Sequence, residues 1–284
     1  MIKMSINLSN IAVTEFDAMV KAEYQAQGWM LRDTVRVKDN ITGKTVKFPV
    51  MGRGIATSKI PQDDVTPMNV NYSFKTGILT NWNAAEYSDI FDEQEVNIDD
   101  KRELASCIAF ALGRRSDQLV IDANSGSGTT KSVAIGTSNM TYAKFLEAES
   151  LLNYDGVPRN ERTLIMSTAA ERSLLADDKF INNDYIKNNV LNKNGLHGQT
   201  VLDTRIIVIP EMSDVGGLPG TIGGARKCYM YHKQALGLGV GINFKTEINY
   251  IPNKTSWLVN GIYKAIGIAI DPLGIVEINI DESK

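Results

Sequence analysis

Residues Asp89 to Gly126 read DIFDEQEVNIDDKRELASCIAFALGRRSDQLVIDANSG, and the period of this stretch decides how the rest of the chain is arranged. Ala105, Ile108, Ala109, Leu112, Ser116, Leu119, Val120 and Ala123 recur at helical steps, and Leu104, Cys107 and Ala111 widen the same apolar face. Lys101, Arg102, Arg114, Arg115, Asp117 and Gln118 fall elsewhere and are expected to stay wet. Asn97 or Asp99 suits the cap, and the acidic residues before them suit the positive end of the helix dipole. Asn124 and Gly126 suit a left-handed stop. Ala105, Ala109 and Ser116 are small enough to let another element come close. Each large apolar side chain buried on this face stabilises the fold by ~1.5–3 kcal/mol.

Working outward, the flanks differ in character. Before the helix, residues 1–13 read as a polar tail, and Thr14 to Gln27 as a short helix ended by Gly28. Thr34–Lys38 and Thr45–Val50 alternate as strands around the turn Asn40-Ile41-Thr42-Gly43. Val70, Tyr72 and Phe74 alternate with Asn71, Ser73 and Lys75 in a returning strand. Few of these residues could form a core of their own, and an isolated β-ribbon is marginal in water. Its unpaired edges call for a partner surface.

After the helix, Ser125–Ser132 is a glycine–serine stretch. Thr141–Asn153 is a capped amphipathic helix, Arg162–Met166 a buried strand, Ser167–Ala176 a third helix, and Thr204–Pro210 another buried strand. Phe180–Val190 reads as helical or irregular. This alternation indicates an α/β body. Lys227–Tyr231, Phe244–Ile251, Gly261–Ile270 and Gly274–Ile280 make the last third mostly sheet.

Composition bounds the function. A chain of 284 residues that is 43% hydrophobic can bury a substantial core. A net charge of −3 argues against a dedicated nucleic-acid binder, though not against a protein that encloses nucleic acid. Cys107 and Cys228 read as buried thiols kept in a reducing compartment. No apolar run reaches the ~18–20 residues of a membrane span, and the first residues lack the apolar core of a signal peptide. The expected setting is the inside of a cell, with no membrane partner.

The search for chemistry returns little. Ser125–Ser132 ends in Lys131-Ser132 like a phosphate loop, but Thr130 stands where glycine is needed and the stretch follows a helix. Gly237, Gly239 and Gly241, and Gly217, Gly220 and Gly223, lack the strand–turn–helix setting of a dinucleotide site and read as loop or bulge glycines. His197 and His232 have no second ligand at zinc spacing. The acidic residues from Asp89 to Asp100 lack the pattern of a calcium loop. Lys44, Lys47 and Lys59 read as surface charges. No catalytic residue, metal or cofactor is expected.

Ile41 to Arg53, ITGKTVKFPVMGR, resembles the ribbon motif Gly-Lys-hydrophobic-x-Phe-Pro-Val-x-Gly-Arg of major capsid proteins from short-tailed bacteriophages. The order of parts agrees along nearly the whole chain. The resemblance implies an α+β chain with the Hong Kong phage-like capsid fold of tailed-phage and herpesvirus shells and encapsulins. It implies an N-terminal arm at 1–31 and an extended loop at 32–88. A peripheral domain would hold the spine helix at 89–132 with strands at 244–270. An axial domain would comprise 133–243 and 271–284.

The function so implied is a structural one. The chain would assemble with itself into hexamers and pentamers of an icosahedral shell. Scaffolding and portal proteins would be partners, and double-stranded DNA would be enclosed rather than specifically bound. The virion would be its location, after assembly in the cytoplasm of a host bacterium. Lys44, Phe48, Pro49, Arg53, Ile60 and Pro61 would contact a neighbouring subunit. Lys101, Arg114 and Arg115 of the spine helix would face neighbours or the shell interior. Some relatives crosslink a loop lysine to an asparagine; Asn253 is a conceivable acceptor, but the matching motif is missing and no crosslink is expected. Two other readings stand beside this one: an encapsulin-like cellular compartment of the same fold, and an α/β enzyme using His197 or His232.

Overall fold

In a computed structural model the helix spans Asp100–Ser125 (α1). The structure describes residues 28–90, 100–177, 196–210 and 216–284, with the side chains at 100 and 101 excepted. The expected tail and helix before Gly28, the caps Asn97 and Asp99, most of the acidic run and the segment Phe180–Val190 lie outside the described residues. The expected apolar face of α1 is the buried one: Ile108, Leu112, Ser116, Leu119 and Val120 are each at most 5% exposed. Two residues depart from expectation. Asp117 is buried rather than wet, because it accepts hydrogen bonds from the backbone N–H groups of Met30 at 3.1 Å and Leu31 at 3.0 Å. Cys107 is exposed, while Cys228 is buried as expected.

The helix lies on a four-stranded sheet. In spatial order the strands are Arg36–Lys38 (β1), Leu236–Ile251 (β10), Ser256–Ala269 (β11) and Thr80–Asp89 (β4). β1 runs parallel to β10, and the other pairs are antiparallel. Close approach requires glycine in β11. A Cβ at Gly267 would stand 2.1 Å from the Leu119 carbonyl oxygen, and one at Gly261 would stand 2.4 Å from Ile108. Both β1 and β4 come from the 32–88 segment, so the extended part of that segment is the stretch between them. β10 continues as one strand through residues 243 and 244, although its pairing with β11 skips them.

The α/β body is a six-stranded sheet. Its order is Ser132–Val133 (β5), Ile275–Asp281 (β12), Ala225–His232 (β9), Arg162–Ser167 (β6), Thr204–Ile209 (β8) and Thr200–Val201 (β7). β6 and β8 are parallel, and every residue of β6 is buried. Helices Tyr142–Tyr154 (α2) and Thr168–Leu175 (α3) are capped as the sequence indicates. Thr141 accepts from the Lys144 N–H, and Ser167 from the Ala170 N–H at 3.2 Å.

The buried charges of Arg162, Glu149 and Lys144 in this body are each engaged by several partners, which is the condition for burying them. Arg162 donates to Glu149 at 2.5 Å, to Asn153 at 2.9 Å and to the Val157 and Pro158 carbonyls. Glu149 also accepts from Thr204 at 2.6 Å. The Lys144 ammonium donates to the carbonyls of Ile135, Ser138 and Asn279, and burial holds its pKa below the usual lysine range.

Candidate subunit interface

The ribbon is a two-stranded sheet of Thr45–Met51 (β2) and Tyr72–Ile78 (β3), paired antiparallel in continuous register from Thr45↔Ile78 to Met51↔Tyr72. Paired residues share a face, so register decides what each face carries. One face carries Val46↔Gly77, Phe48↔Lys75 and Val50↔Ser73. The other carries Thr45↔Ile78, Lys47↔Thr76, Pro49↔Phe74 and Met51↔Tyr72. The apolar alternation of β2 is thus out of phase with that of β3, and the ribbon is apolar on both sides.

The first face docks on the chain's own sheet. Val46 and Phe48 are each 1% exposed and pack with Ile270, flanked by Ile41, Val50, Ile266 and Ile268. The glycine run of β10 makes room for them. A Cβ at Gly237 would stand 2.8 Å from the Phe48 ring, and one at Gly239 would stand 2.8 Å from Val46. These glycines therefore lie within a strand rather than in a loop. A register irregularity follows between Val240 and Lys245, so the bulge is real but sits beyond Gly239.

The second face is covered by nothing among the described residues. Met51, Tyr72, Phe74 and Ile78 are 60–68% exposed. Between the strands, Gly52 donates to the Asn71 carbonyl at 2.7 Å, and beyond that point the chain from 53 to 69 is exposed throughout. Ile55, Ile60, Val65 and Met68 add further apolar surface there. Arg53 donates to the Asp155 carbonyl at 2.9 Å, bringing the root of this tip against the α/β body. A cleft of about 370 Å³ lies there, between Pro49–Met51 and Arg53 of the ribbon and Asp155, His232 and Asp271 of the body.

The residues singled out from the sequence divide accordingly. Lys44, Pro49, Arg53, Ile60 and Pro61 are exposed. Phe48 is not: its ring is consumed by the contact with Gly237 and Ile270, because its place in the register turns it inward. Tyr72, Phe74, Ile78 and Met51, which the sequence reading did not select, carry more of the open apolar face. Their signal was present as the alternation of Tyr72 and Phe74, but its phase relative to Phe48 needs the register. On α1, Arg115 stacks over Trp82 of β4 with 3.9 Å to the ring centroid, so its own sheet holds it. Arg114 is half-buried and lines a small cavity with Met30 and Asp117. The side chain of Lys101 lies outside the described residues.

The remaining candidates have ordinary structural duties. Lys131, the one feature reminiscent of a phosphate loop, pairs with the Asp155 carboxylate and the Leu273 carbonyl. His197 accepts from the Val208 N–H and His232 from the Gln234 N–H, each at 3.2 Å. Burial pushes the His232 pKa below its ordinary value. Among the described residues no group of three or more His, Cys, Asp and Glu is placed to hold a metal ion, and no helix is long and apolar enough to cross a membrane.

Comparison with known proteins accounts for this arrangement. The family model described as phage capsid protein matches residues 8–282. Comparison with curated protein sequences finds no match. Among solved structures, the capsid of the cyanophage P-SCSP1u is similar at 15% identity with a TM-score of 0.74, covering 96% of this chain and 94% of that one. The acid-stable capsid of the Helicobacter pylori bacteriophage KHP30 is similar at 10% identity and a TM-score of 0.72, covering 99% and 98%. Mycobacterium phage Che8 is similar at 16% identity and a TM-score of 0.68, covering 93% and 95%. These likenesses show the expected Hong Kong phage-like fold, and the family is that of a structural, non-enzymatic component of the virion. With the model match running across almost its entire length, the chain belongs to the phage capsid protein family.

Proposed function

We propose that this chain is the major capsid subunit, which assembles into hexamers and pentamers of an icosahedral shell enclosing double-stranded DNA. One observation carries the assembly step. The ribbon buries one apolar face on its own body and leaves a second, at Met51, Tyr72, Phe74 and Ile78, without cover among the described residues. A group of large exposed apolar side chains marks an interaction surface, and in a self-assembling family the complement is a second copy. Weak contacts of this kind, repeated around closed symmetry, give a stable shell without tight pairwise binding.

In this reading residues 1–31 are the arm, and the ribbon within 32–88 reaches over a neighbour. Residues 89–132 and 244–270 form the peripheral domain, and 133–243 with 271–284 the axial domain. Lys44, Pro49, Arg53, Ile60 and Pro61 flank the contact. The mild negative charge suits a wall that encloses DNA without gripping its phosphates. Scaffolding and portal proteins direct assembly in the host cytoplasm.

Sedimentation and electron microscopy of the expressed chain, alone and with a scaffolding protein, test the proposal. Closed particles with fivefold vertices are expected. A chain that stays monomeric under every condition overturns it.

A further inference from the structure

We propose that the turn closing helix α2, residues 153–158, is the receptor for the ribbon tip, and that assembly exchanges the tip, so that Arg53 of one copy seats on the turn of the next. The exchange presupposes the self-assembly proposed above and names the partner of the ribbon's open side. In the single chain the turn holds the chain's own Arg53, whose guanidinium donates to the Asp155 carbonyl at 2.9 Å. That carbonyl stands at the C-terminus of α2, the negative end of the helix dipole, which favours a cationic guest.

The receptor is rigid and built independently of its guest. Arg162 backs it from inside the body, donating to the Asn153 side chain at 2.9 Å, the Val157 carbonyl at 2.6 Å and the Pro158 carbonyl at 2.9 Å. The N–H groups of Gly156 and Val157 donate back to the Asn153 and Leu152 carbonyls at 3.0 and 3.1 Å. Lys131 pairs with the Asp155 carboxylate. The carbonyl that receives Arg53 therefore keeps its direction whether or not Arg53 is there.

The guest is held loosely. Its one hydrogen bond to the body is exposed, and a cleft of about 370 Å³ stays open beside it. Among the described residues, those of 54–69 bond only within the tip, as in the Asp63 N–H to the Ile60 carbonyl at 3.1 Å. A Cβ at Gly54 would stand 2.8 Å from the Met68 sulfur, so the two arms of the tip lie together. An excursion of 18 residues folded back on itself reaches about 30 Å at the rise of a strand.

Two observations select a second copy as the occupant. Pro49 and Met51 line the cleft and also belong to the ribbon's exposed apolar face, so a molecule that covers this face arrives at the cleft. The complement of the turn is already known from the single chain: it is Arg53, and a second copy carries the same group on the same tip. Swapping an identical element between copies replaces one bond by its equal and costs little. With Arg53 the exposed Ile55, Ile60, Val65 and Met68 pass onto the neighbour, where their apolar surface can be covered.

The test is thiol crosslinking in the full-length chain. Ile55→Cys, at a tip position 80% exposed, and Tyr154→Cys, beside Asp155 and 91% exposed, are made singly and together, each with Cys107→Ser to remove the exposed native thiol. Lys59→Cys, exposed on the same tip, replaces Ile55→Cys if that chain does not assemble. A short bismaleimide then joins thiols that lie together. In unassembled subunits the double variant should link within one chain. In particles coassembled from equal amounts of the two single variants, linked pairs of chains should appear, and the intrachain product of the double variant should be lost. Arg53→Ala added to the tip-thiol chain should slow the linking of pairs about fivefold, the factor of one hydrogen bond. Coassembled particles without linked pairs overturn the exchange and leave the assembly reading standing. Linking that is unchanged by Arg53→Ala overturns the seating of Arg53 on the turn. A wild-type chain that forms no particles overturns the assembly reading, and the exchange with it.

Discussion

Replacing residues 53–70 with a two-residue Asn-Gly turn separates the two jobs of the ribbon. Gly52 already donates to the Asn71 carbonyl, so the strands are closed at that point and a tight turn can join them there. The replaced stretch is exposed apart from half-buried Val70. Among the described residues, the hydrogen bond lost to the rest of the chain is the exposed Arg53 contact to Asp155, worth about 1 kcal/mol at most. Shortening the loop from 18 residues to about two lowers the closure entropy by about 2 kcal/mol. The subunit should therefore be as stable as the parent, or up to about 2 kcal/mol more stable.

Phe48→Ala, only a few residues away, should do the opposite. It empties a site 1% exposed against Gly237 and Ile270, and a phenylalanine truncated in a core costs about 3–5 kcal/mol. Urea unfolding of both subunits gives the stabilities, and electron microscopy gives the assembly. The turn replacement should unfold later and form no shells, while Phe48→Ala should unfold earlier. A replacement that destabilises by 2 kcal/mol or more shows that the tip belongs to the core. One that still forms normal shells shows that the tip is not an interface.

Other changes probe the frame that holds the ribbon. Gly237→Val puts a Cβ 2.8 Å from the Phe48 ring and 3.0 Å from Ile270, and should cost about 1–3 kcal/mol in urea unfolding. Glu149→Ala strips Arg162, itself 1% exposed, of its anionic partner and should cost about 3–5 kcal/mol. The double variant with Arg162→Met should cost less than the sum of the two single changes, because the orphaned charge is gone. Arg115→Ala removes the stacking on Trp82 and should lower subunit stability by about 1 kcal/mol while leaving assembly intact. Unchanged stability with lost assembly would move Arg115 to a neighbour contact.

Legibility followed the physics of each element. The face of α1 was readable because helical periodicity reports burial directly. The caps Thr141 and Ser167 were readable because their chemistry is local. Asp117 was misplaced because its partners are backbone N–H groups at Met30 and Leu31, more than 80 residues away in sequence, where no side-chain pattern announces them. The role of Gly237 and Gly239 was hidden for a related reason: a glycine set against another strand's side chain looks, in sequence, like a glycine in a turn. Phe48 and Phe74 were both visible as strand residues. Which of them points inward depends on the pairing Pro49↔Phe74, a long-range fact.

That pairing also explains why the ribbon stays extended rather than collapsing on its own domain. Had the apolar alternation of β3 matched that of β2, all its large side chains would have met Gly237, Gly239 and Ile270, leaving a polar outer surface. The single-residue offset instead puts Ser73, Lys75 and Gly77 inward, where little apolar area is gained. Tyr72, Phe74 and Ile78 remain turned outward, where none of the described residues covers them. Shifting β3 by one residue against β2 would bring these groups to the same face as Val46 and Phe48, where the subunit could cover them. The continuous seven-pair ladder from Thr45↔Ile78 to Met51↔Tyr72 holds the register against that shift. The same hydrogen bonds that fix the local fold therefore keep the adhesive face available for assembly.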